Sequence, residues 1–509
     1  MSVRTASVRK IISYSTISVA LSVGAAQADV TGAGVWGDWQ EYMLGFGYSL
    51  SGNESQSGDT LNVSDIAMTI ELPEDAGIFT MTIGDMSFLD NSNGTVTVGL
   101  PAVMPLTFDI APDGGDPVKG TINYTQTAPV MIVSGDEGDF TYTYSAESVS
   151  MDLGELIVDG VPMPAEMFAM NMTMRDISNT TRTTVGDLRG YDSKMSVSAI
   201  SYDVSFDVPD GPEAGKGSFK GEMSDLTMSA DAEFAKDLDA TDPAGMLAAG
   251  MNVTSSFEYK SGSGEMDVVS PDGPVTATTS SRGGNLESSL TPEGLRYAAE
   301  QSGLKVKLQA SEFPFPIELE MEKSGFVFGM PLAASQEPQD FSFGFTLGDF
   351  TISDSIWGLF DAAGQLPRDP ATLALDLTGK ARLFANLFDP ESMNNAEIPG
   401  EVNALDINNL IVSAVGAEIT AKGGFTFDNS DFSTFDGVPR PEGAVDVVVK
   451  GANGLIDKLI NMGLLPQEQA MGARMMMGLF GVAQGDDTVT SKIEVNEKGN
   501  VFANGQQLR

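Results

Sequence analysis

Apolar and polar side chains alternate with a period of two along most of this chain. The clearest run lies at 200–208, where Ser or Asp separates successive apolar residues: Ile200, Tyr202, Val204, Phe206 and Val208. The same alternation recurs at 66–72, 79–83, 96–100, 106–110, 142–144, 306–308, 317–321, 341–345, 373–377 and 445–449. This period is typical of strands that have one face buried and the other in water.

The turns between these runs predict how the strands connect. Asn, Asp and Gly cluster at 91–94, 113–116, 135–138, 210–212 and 271–273, where they suit tight hairpin turns. We therefore predict a mainly β fold with a few helices, built on one or more long, twisted antiparallel sheets. A sheet with a single apolar face can curve into a trough that shields this face from water.

Two predicted helices lie near the ends of the chain. The first spans 34–44 and carries large apolar residues at helical spacing before two glycines: Trp36, Trp39, Tyr42, Met43, Gly45 and Gly47. The clearest helical pattern is a C-terminal helical hairpin at 453–482, whose two arms are separated by Gly463 and Pro466.

Two shorter helices are predicted in between. Thr291 and Pro292 have the order of a helix cap followed by Pro at the first helical position, and Gly303 would close this helix. Ser353 is predicted to cap another helix that ends at Gly364.

The first 28 residues have the pattern of a cleavable signal peptide. A positively charged start and an apolar stretch at 11–23 precede the small residues of Ala26-Gln27-Ala28. This leader predicts export, and so a periplasmic or secreted protein. The rest of the chain is interpreted as an N-terminal β-rich region, 29–240, and a C-terminal β-rich region, 241–509, which includes the helical hairpin.

Composition excludes several kinds of chemistry. The 509 residues include no His and no Cys, which rules out imidazole catalysis, thiolate chemistry, disulfides and Cys/His zinc sites. With 28 Lys and Arg against 71 Asp and Glu, the formal net charge is −43. This charge argues against binding nucleic acid through its phosphates.

The remaining candidate chemistry has simpler explanations. Ser302-x-x-Lys305 has the spacing of a Ser–Lys pair, but it falls where a predicted helix ends, whereas Ser–Lys enzymes place it at a helix start. Asp90–Gly94 and Asp428–Asp431 resemble parts of calcium loops, yet both coincide with predicted turns, which favour the same residues. We therefore predict no enzymatic activity, no cofactor and no metal site, and leave calcium at these turns as the alternative.

Methionine is the unusual feature of the composition. There are 27 Met residues, and Met side chains are flexible enough to pack against irregular or changing apolar partners. In the second arm of the predicted hairpin, consecutive methionines cannot all face one core. We predict that this arm contributes to ligand binding through Met471, Met475, Met476, Leu479 and Phe480.

Two segments resemble known families. Residues 36–48, with the pattern Trp-x-x-Trp-x-x-Tyr-x-x-Gly-Phe-Gly-Tyr, followed by Gly58-Asp59 and Gly94-Thr95-Val96, resemble exported proteobacterial proteins that carry a domain of unknown function. The tail at 492–505 is weakly similar to the ends of AsmA-like and YdgA-like envelope proteins. The second resemblance implies a long curved sheet with an apolar trough and a role with lipids.

These observations favour an exported, envelope-related protein that binds or carries a hydrophobic small molecule or lipid in an apolar groove of its sheet. An outer-membrane β-barrel and a surface structural or adhesin protein are the alternatives, since the alternation and Gly-rich turns also suit them. No nucleic-acid partner is expected. No apolar run after the leader approaches 18 residues, so no transmembrane segment is expected after cleavage.

Overall fold

The first half of the described chain is one helix followed by strands. The computed structural model describes residues 30–45, 47–72, 77–111, 117–208, 214–235 and 242–509. The predicted signal peptide, 1–28, lies outside them. Helix α1 spans Gly32–Gly45. The strands after it are β1 (Ser49–Ser57), β2 (Thr60–Leu72), β3 (Gly77–Asp90), β4 (Val96–Gly99), β5 (Val103–Ala111), β6 (Val118–Thr127), β7 (Val130–Asp136), β8 (Asp139–Val158), β9 (Val161–Pro162), β10 (Phe168–Val185), β11 (Leu188–Val208) and β12 (Gly215–Ala235).

The second half of the described chain adds five helices between strands. The helices are α2 (Pro243–Ala248), α3 (Asp354–Phe360), α4 (Pro390–Asn395), α5 (Ala452–Asn461) and α6 (Gln467–Phe480). The strands are β13 (Asn252–Tyr259), β14 (Ser261–Ser270), β15 (Gly273–Ser281), β16 (Gly284–Thr291), β17 (Gly294–Ala310), β18 (Ile317–Met330), β19 (Gln339–Ile352), β20 (Ala371–Leu383), β21 (Gly400–Ala414), β22 (Ala417–Asp428), β23 (Arg440–Lys450), β24 (Val482–Gly485), β25 (Thr488–Val495), β26 (Val501–Ala503) and β27 (Gln506–Gln507).

All of these strands belong to one sheet. Most strands that follow one another in the chain lie side by side, and every ladder between described strands is antiparallel. The sheet therefore runs as a long meander from β1 at one end to β25 near the other. The predicted mainly β fold with a long antiparallel sheet, a few helices and a C-terminal helical hairpin is confirmed. Pairing of β12 with β13 and β14 continues the sheet across the predicted boundary at 240, and the division into two regions stays a prediction.

A line of interruptions crosses the ladders near the middle of the strands. Between β10 and β11 the pairing passes from Arg175–Ala199 to Ser178–Ser196, and between β17 and β18 it skips Gly303 and Glu322. We call this line the seam; its residues are Asp65, Asp85, Glu147, Asp176, Ser198, Asp225, Lys260, Arg282, Gly303, Glu322 and Asp349. Unpaired residues of this kind disrupt the ladder locally, so a row of them interrupts the hydrogen bonding of the sheet along one line.

Aspartate supplies the backbone conformation that the seam needs. Asp65, Asp176, Asp225 and Asp349 have φ between 48° and 52°, in the left-handed region that Asp tolerates better than most residues. The Asp176 carboxylate also accepts a hydrogen bond from Ser198 Oγ on the neighbouring strand, at 2.8 Å. These side chains therefore hold the interruption in register from one strand to the next.

The apolar residues on the two sides of the seam share one face of the sheet. Apolar residues on both sides of the seam pack into one cluster, whose buried members are Ala146, Val149, Ile177, Val197 and Leu226. Met174 and Met195, which lie on opposite sides of the seam, both pack against this cluster. The apolar residues of β10 have even numbers up to Met174 and odd numbers from Ile177 onward. Because this change falls at the seam, both halves of β10 keep their apolar side chains on the same face.

Three of the four predicted helical segments are present, with the hairpin counted as one segment. Helix α1 covers the predicted 34–44, and α3 begins directly after Ser353 although it ends at Phe360, before Gly364. The predicted hairpin is formed by α5 and α6, and its second arm ends at Phe480, so that Val482 already opens β24. Among the described residues, no helix is both long and apolar enough to cross a membrane.

The prediction of a helix between Thr291 and Gly303 is wrong. Thr291 ends β16, Pro292 and Glu293 form a tight turn, and β17 begins at Gly294. The fixed φ of proline suits the second position of a turn as well as the first position of a helix, so the local pattern was ambiguous. Gly294 has φ of 151°, and a Cβ there would lie 2.3 Å from the carbonyl oxygen of Met330.

Helix α1 packs on the first strands through a glycine. A Cβ at Gly32 would lie 2.7 Å from Phe88 Cβ, and the Gly32 N–H donates to Asp90 Oδ1 at 2.6 Å. Farther along the same helix, Trp36 is 2 % exposed and its indole N–H donates to Glu54 Oε1 at 2.8 Å. The close backbone approach at Gly32 therefore sets the depth at which Trp36 is buried.

Gly32→Ala is expected to destabilise the protein by about 1–3 kcal/mol, because the added methyl group overpacks a buried contact. Thermal unfolding monitored by circular dichroism measures this loss. Gly37→Ala is the matched control in the same helix: nothing lies within 4 Å of its added Cβ, and alanine favours the helix, so stability should stay equal or rise slightly. Equal losses for both variants would contradict the packing argument.

Candidate functional site

A groove lies between α1 and the apolar face of the sheet. Its volume is about 590 Å³, within the range of small-molecule sites, and we call it the α1 groove. Helix α1 forms one side of it, and strands from β1 to β11 form the rest. Aromatic and Met side chains dominate its lining: Trp36, Trp39, Tyr42, Tyr124, Tyr142, Tyr144, Tyr191, Met43, Met68, Met86, Met131, Met174 and Met195.

An apolar row continues from this groove along the sheet. Residues directly opposite each other in an antiparallel ladder project from the same face. Following such pairs from β7 to β23 gives the row Met131, Tyr144, Asn179, Met195, Met228, Phe257, Leu286, Ala299, Phe326, Phe345, Leu375, Leu410, Ala421 and Val447. With the exception of Asn179, every member is apolar or aromatic, and the members at its start line the α1 groove.

Part of this row is open to solvent. Leu286 is 45 % exposed and Phe326 is 44 % exposed, although both lie on the apolar face. Phe343, beside the row on β19, is 36 % exposed. Exposed large apolar side chains in a continuous line are typical of a surface that meets an apolar partner.

The opposite face of the sheet carries paired charges. On β17 and β18, Lys305 Nζ lies 2.9 Å from Glu320 Oε1, and Lys307 Nζ lies 2.8 Å from Glu318 Oε1. The same cross-strand pairing recurs between Lys220 and Asp203. These pairs are exposed and contribute little stability each. They show that one face of the sheet is consistently the one in water, which leaves the apolar row on the other.

A buried ion pair lies at one side of the α1 groove. The side chains of Asp38 on α1 and Arg189 on β11 are 7 % and 11 % exposed, and Arg189 Nη2 donates to Asp38 Oδ1. Tyr142 Oη donates to the other carboxylate oxygen of Asp38 at 2.8 Å. Burial acts to lower the pKa of Arg189, but the interactions with Asp38 and Tyr191 together outweigh it, and the pKa lies above its usual value.

Two tyrosines stack around the guanidinium. The rings of Tyr42 and Tyr191 are 4.8 Å apart, and Arg189 lies over both, at 5.6 and 5.8 Å from their centroids. Arg189 Nε also donates to Tyr191 Oη at 3.2 Å. Burial raises the pKa of Tyr191 well above its usual value, even though Arg189 acts in the opposite direction. The phenol therefore stays protonated and can donate a hydrogen bond.

A short polar stretch of β10 interrupts the apolar lining. Asn179, Thr181 and Thr183 all line the groove. Thr181 Oγ1 lies 2.9 Å from both Asn179 Oδ1 and Ser193 Oγ, so it is already paired. Thr183 is 3 % exposed, and its Oγ1 has no hydrogen-bond partner. A buried hydroxyl without a partner is costly, and native proteins seldom leave one.

The predicted ligand-binding residues of the hairpin lie elsewhere. Met471, Met475, Met476 and Leu479 on α6 are between 51 % and 71 % exposed, Phe480 is half-buried, and none of them lines the α1 groove. Ala470, by contrast, is the buried residue of this helix. The hairpin thus presents an exposed apolar surface, and its role in binding stays a prediction.

The other sequence candidates have structural explanations. Ser302 and Lys305 both lie in β17, and Lys305 pairs with Glu320, so no helix starts at this motif. In the 428–431 turn, Asp431 accepts hydrogen bonds from Ser433 and Thr434. Within the described ranges, no group of three or more acidic residues is placed to hold a metal ion.

The comparisons with known proteins concern the C-terminal region. Residues 263–505 match the model of a bacterial family described as "Uncharacterized protein conserved in bacteria (DUF2125)". The predicted resemblance to proteins with a domain of unknown function is thus supported over just under half of the chain. No curated protein matches this chain. The matched residues run from β14 to beyond β26, so they include much of the apolar row but not the α1 groove.

The local sequence pattern does not reveal the residues that build the groove. The spacing at 36–42 indicates only one face of a helix for Trp36, Trp39 and Tyr42, and nothing in the local pattern points to Arg189. Their partners are distant in sequence: Asp38 bonds Tyr142 over 104 residues and Arg189 over 151. A usable signal was present in β10, where the polar residues Asn179, Thr181 and Thr183 occupy positions that the alternation assigns to the apolar face.

Proposed function

We propose that this protein is a non-enzymatic carrier of a hydrophobic or lipid ligand. The observation that supports it most is the apolar row, which begins in the α1 groove and continues across the sheet with large side chains exposed to solvent. Burying such a surface under a ligand would stabilise a complex by about 25 cal/mol per Å² of apolar area. A mobile acyl or isoprenoid chain suits the Met and aromatic lining, because these side chains adapt to irregular partners.

The proposal includes an exported, envelope-related location. The signal-peptide pattern at 1–28 supports export, and the weak similarity of the C-terminal tail to AsmA-like and YdgA-like envelope proteins supports a role with lipids. The buried side chains of Asp38 and Arg189 form an ion pair in which each neutralises the charge of the other. They therefore serve to position α1, and no catalytic role is assigned to them.

The direct test is to identify what the protein carries. The full chain would be expressed with its leader, purified without detergent, and extracted with organic solvent for mass spectrometry. We expect a stoichiometric hydrophobic compound, and native mass spectrometry should show the corresponding mass on the folded protein. A ligand-free protein that also fails to take up an apolar fluorophore would contradict the proposal.

Leu286→Lys is expected to weaken binding of a fluorescent long-chain lipid by roughly tenfold, which corresponds to about 1.4 kcal/mol, because it places an ammonium group in the apolar row. Transfer of the lipid between neutral vesicles should slow in parallel. The control is Asn285→Lys, one residue away on the opposite face, where the new charge lies beside Glu258 and Glu300. Unchanged binding by Leu286→Lys would contradict a ligand path along the row.

A further inference from the structure

The polar stretch of β10 and the neighbouring tyrosine form a pair of hydroxyl groups in the groove wall. Thr183 and Tyr191 are directly opposite each other in the ladder between β10 and β11, and both line the α1 groove. Thr183 Oγ1 has no partner, and a hydroxyl can both donate and accept. Tyr191 Oη accepts from Arg189, which leaves its O–H free to act as a donor.

The charges in this part of the groove are already compensated. Of the described residues that line the groove, Asp38 alone is charged, and it is paired with Arg189 and hydrogen-bonded by Tyr142. An anionic ligand head would therefore meet a carboxylate without an available cation, in a protein whose net charge is −43. A cationic head would have to displace Arg189 from a buried pair, which costs more than it gains.

We propose that the α1 groove binds an amphiphile with an uncharged polar end, whose hydroxyl, ester or amide group is held by Thr183 and Tyr191. Its apolar chain then lies along the Met and aromatic wall toward Met195 and the start of the apolar row. A carbonyl or hydroxyl oxygen of the ligand at this point accepts a hydrogen bond from Tyr191 Oη. It also provides a hydrogen-bond partner for Thr183 Oγ1. This inference rests on the proposed carrier function and narrows its ligand class.

The experiment compares three probes with the same chain and different heads: decanol, decanoate and decylamine. Each displaces an apolar fluorophore from the delipidated full-length protein near neutral pH. We expect decanol to bind at least roughly tenfold more tightly than either charged probe. Tighter binding of decanoate or decylamine, or equal binding of all three, would overturn the inference while leaving the carrier function intact. If neither the fluorophore nor any probe binds, the carrier function itself fails.

Variants at β10 test the position of the polar end. Thr183→Val keeps the shape of the side chain and is expected to weaken decanol binding roughly fivefold through the lost hydrogen bond, without changing binding of the apolar fluorophore. Thr183→Ser retains the hydroxyl and should restore decanol affinity. Thr181→Val, which removes a hydroxyl that is already paired within the protein, should leave the preference for decanol unchanged. Decanol affinity unaffected by Thr183→Val would overturn the assigned contact.

Discussion

Arg189→Met is expected to lower the free energy of unfolding by about 3–5 kcal/mol, because it leaves the carboxylate of Asp38 buried without its cation. The pair joins α1 to β11, elements separated by most of the N-terminal strands in sequence, so its loss also loosens one side of the α1 groove. Equilibrium denaturation in urea measures the loss of stability, and fluorophore binding measures the loss of the groove.

Two further variants distinguish the loss of the Asp38–Arg189 ion pair from the loss of packing by the Arg189 side chain. In the double variant Asp38→Leu with Arg189→Met, no charge remains buried, and much of the stability should return. Arg182→Met removes a comparable cation from an exposed pair with Asp139, whose side chains are 58 % and 47 % exposed, and should cost less than about 1 kcal/mol. A double variant as unstable as Arg189→Met alone would show that packing, and not charge, accounts for the effect.

Trp36→Ala is expected to cost about 3–5 kcal/mol, the usual range for removing a large buried aromatic side chain. Trp36 lies in the cluster with Phe88, at a ring distance of 6.1 Å, and Val63, which is fully buried. Without it, α1 loses its main anchor on β2 and β3, and the groove loses one wall. The unfolding midpoint and uptake of the apolar fluorophore should both fall.

The controls for Trp36 distinguish packing from hydrogen bonding. Trp36→Phe keeps an aromatic ring but loses the hydrogen bond to Glu54, so its loss should be smaller than that of alanine. Leu359→Ala removes an apolar side chain of α3 that is 70 % exposed, and should change stability by less than about 0.5 kcal/mol. If Leu359→Ala were as damaging as Trp36→Ala, burial under α1 would not explain the result.

Local patterns predicted the strands and most of the helices because their causes are local. The alternation at 200–208 places apolar and polar residues on opposite faces of β11, and nothing distant is needed for that prediction. The helix predicted from Thr291 failed for a related reason. Proline and glycine at 292–294 fit a hairpin turn as well as a helix start, and the pairing of β17 with β16 and β18 decides between them.

The groove could not be predicted in the same way because distant contacts create it. The α6 methionines are adjacent in sequence and so stand out as an apolar group, whereas the methionines that line the groove are dispersed over α1 and the strands from β2 to β11. Alternation alone could have revealed the seam. Apolar positions change from even to odd numbers between Met174 and Ile177, and back between Val197 and Ile200.

The seam interrupts each strand that it crosses at a residue of that strand, such as Asp176 on β10 or Asp225 on β12. The same interruption therefore repeats from one strand to the next, whatever the number of strands. Inserting one more hairpin with an Asp at its midpoint would therefore lengthen the molecule by roughly 10 Å without redesigning the rest. Related proteins with different numbers of strands would then share the same strand interruption and differ in the length of the sheet.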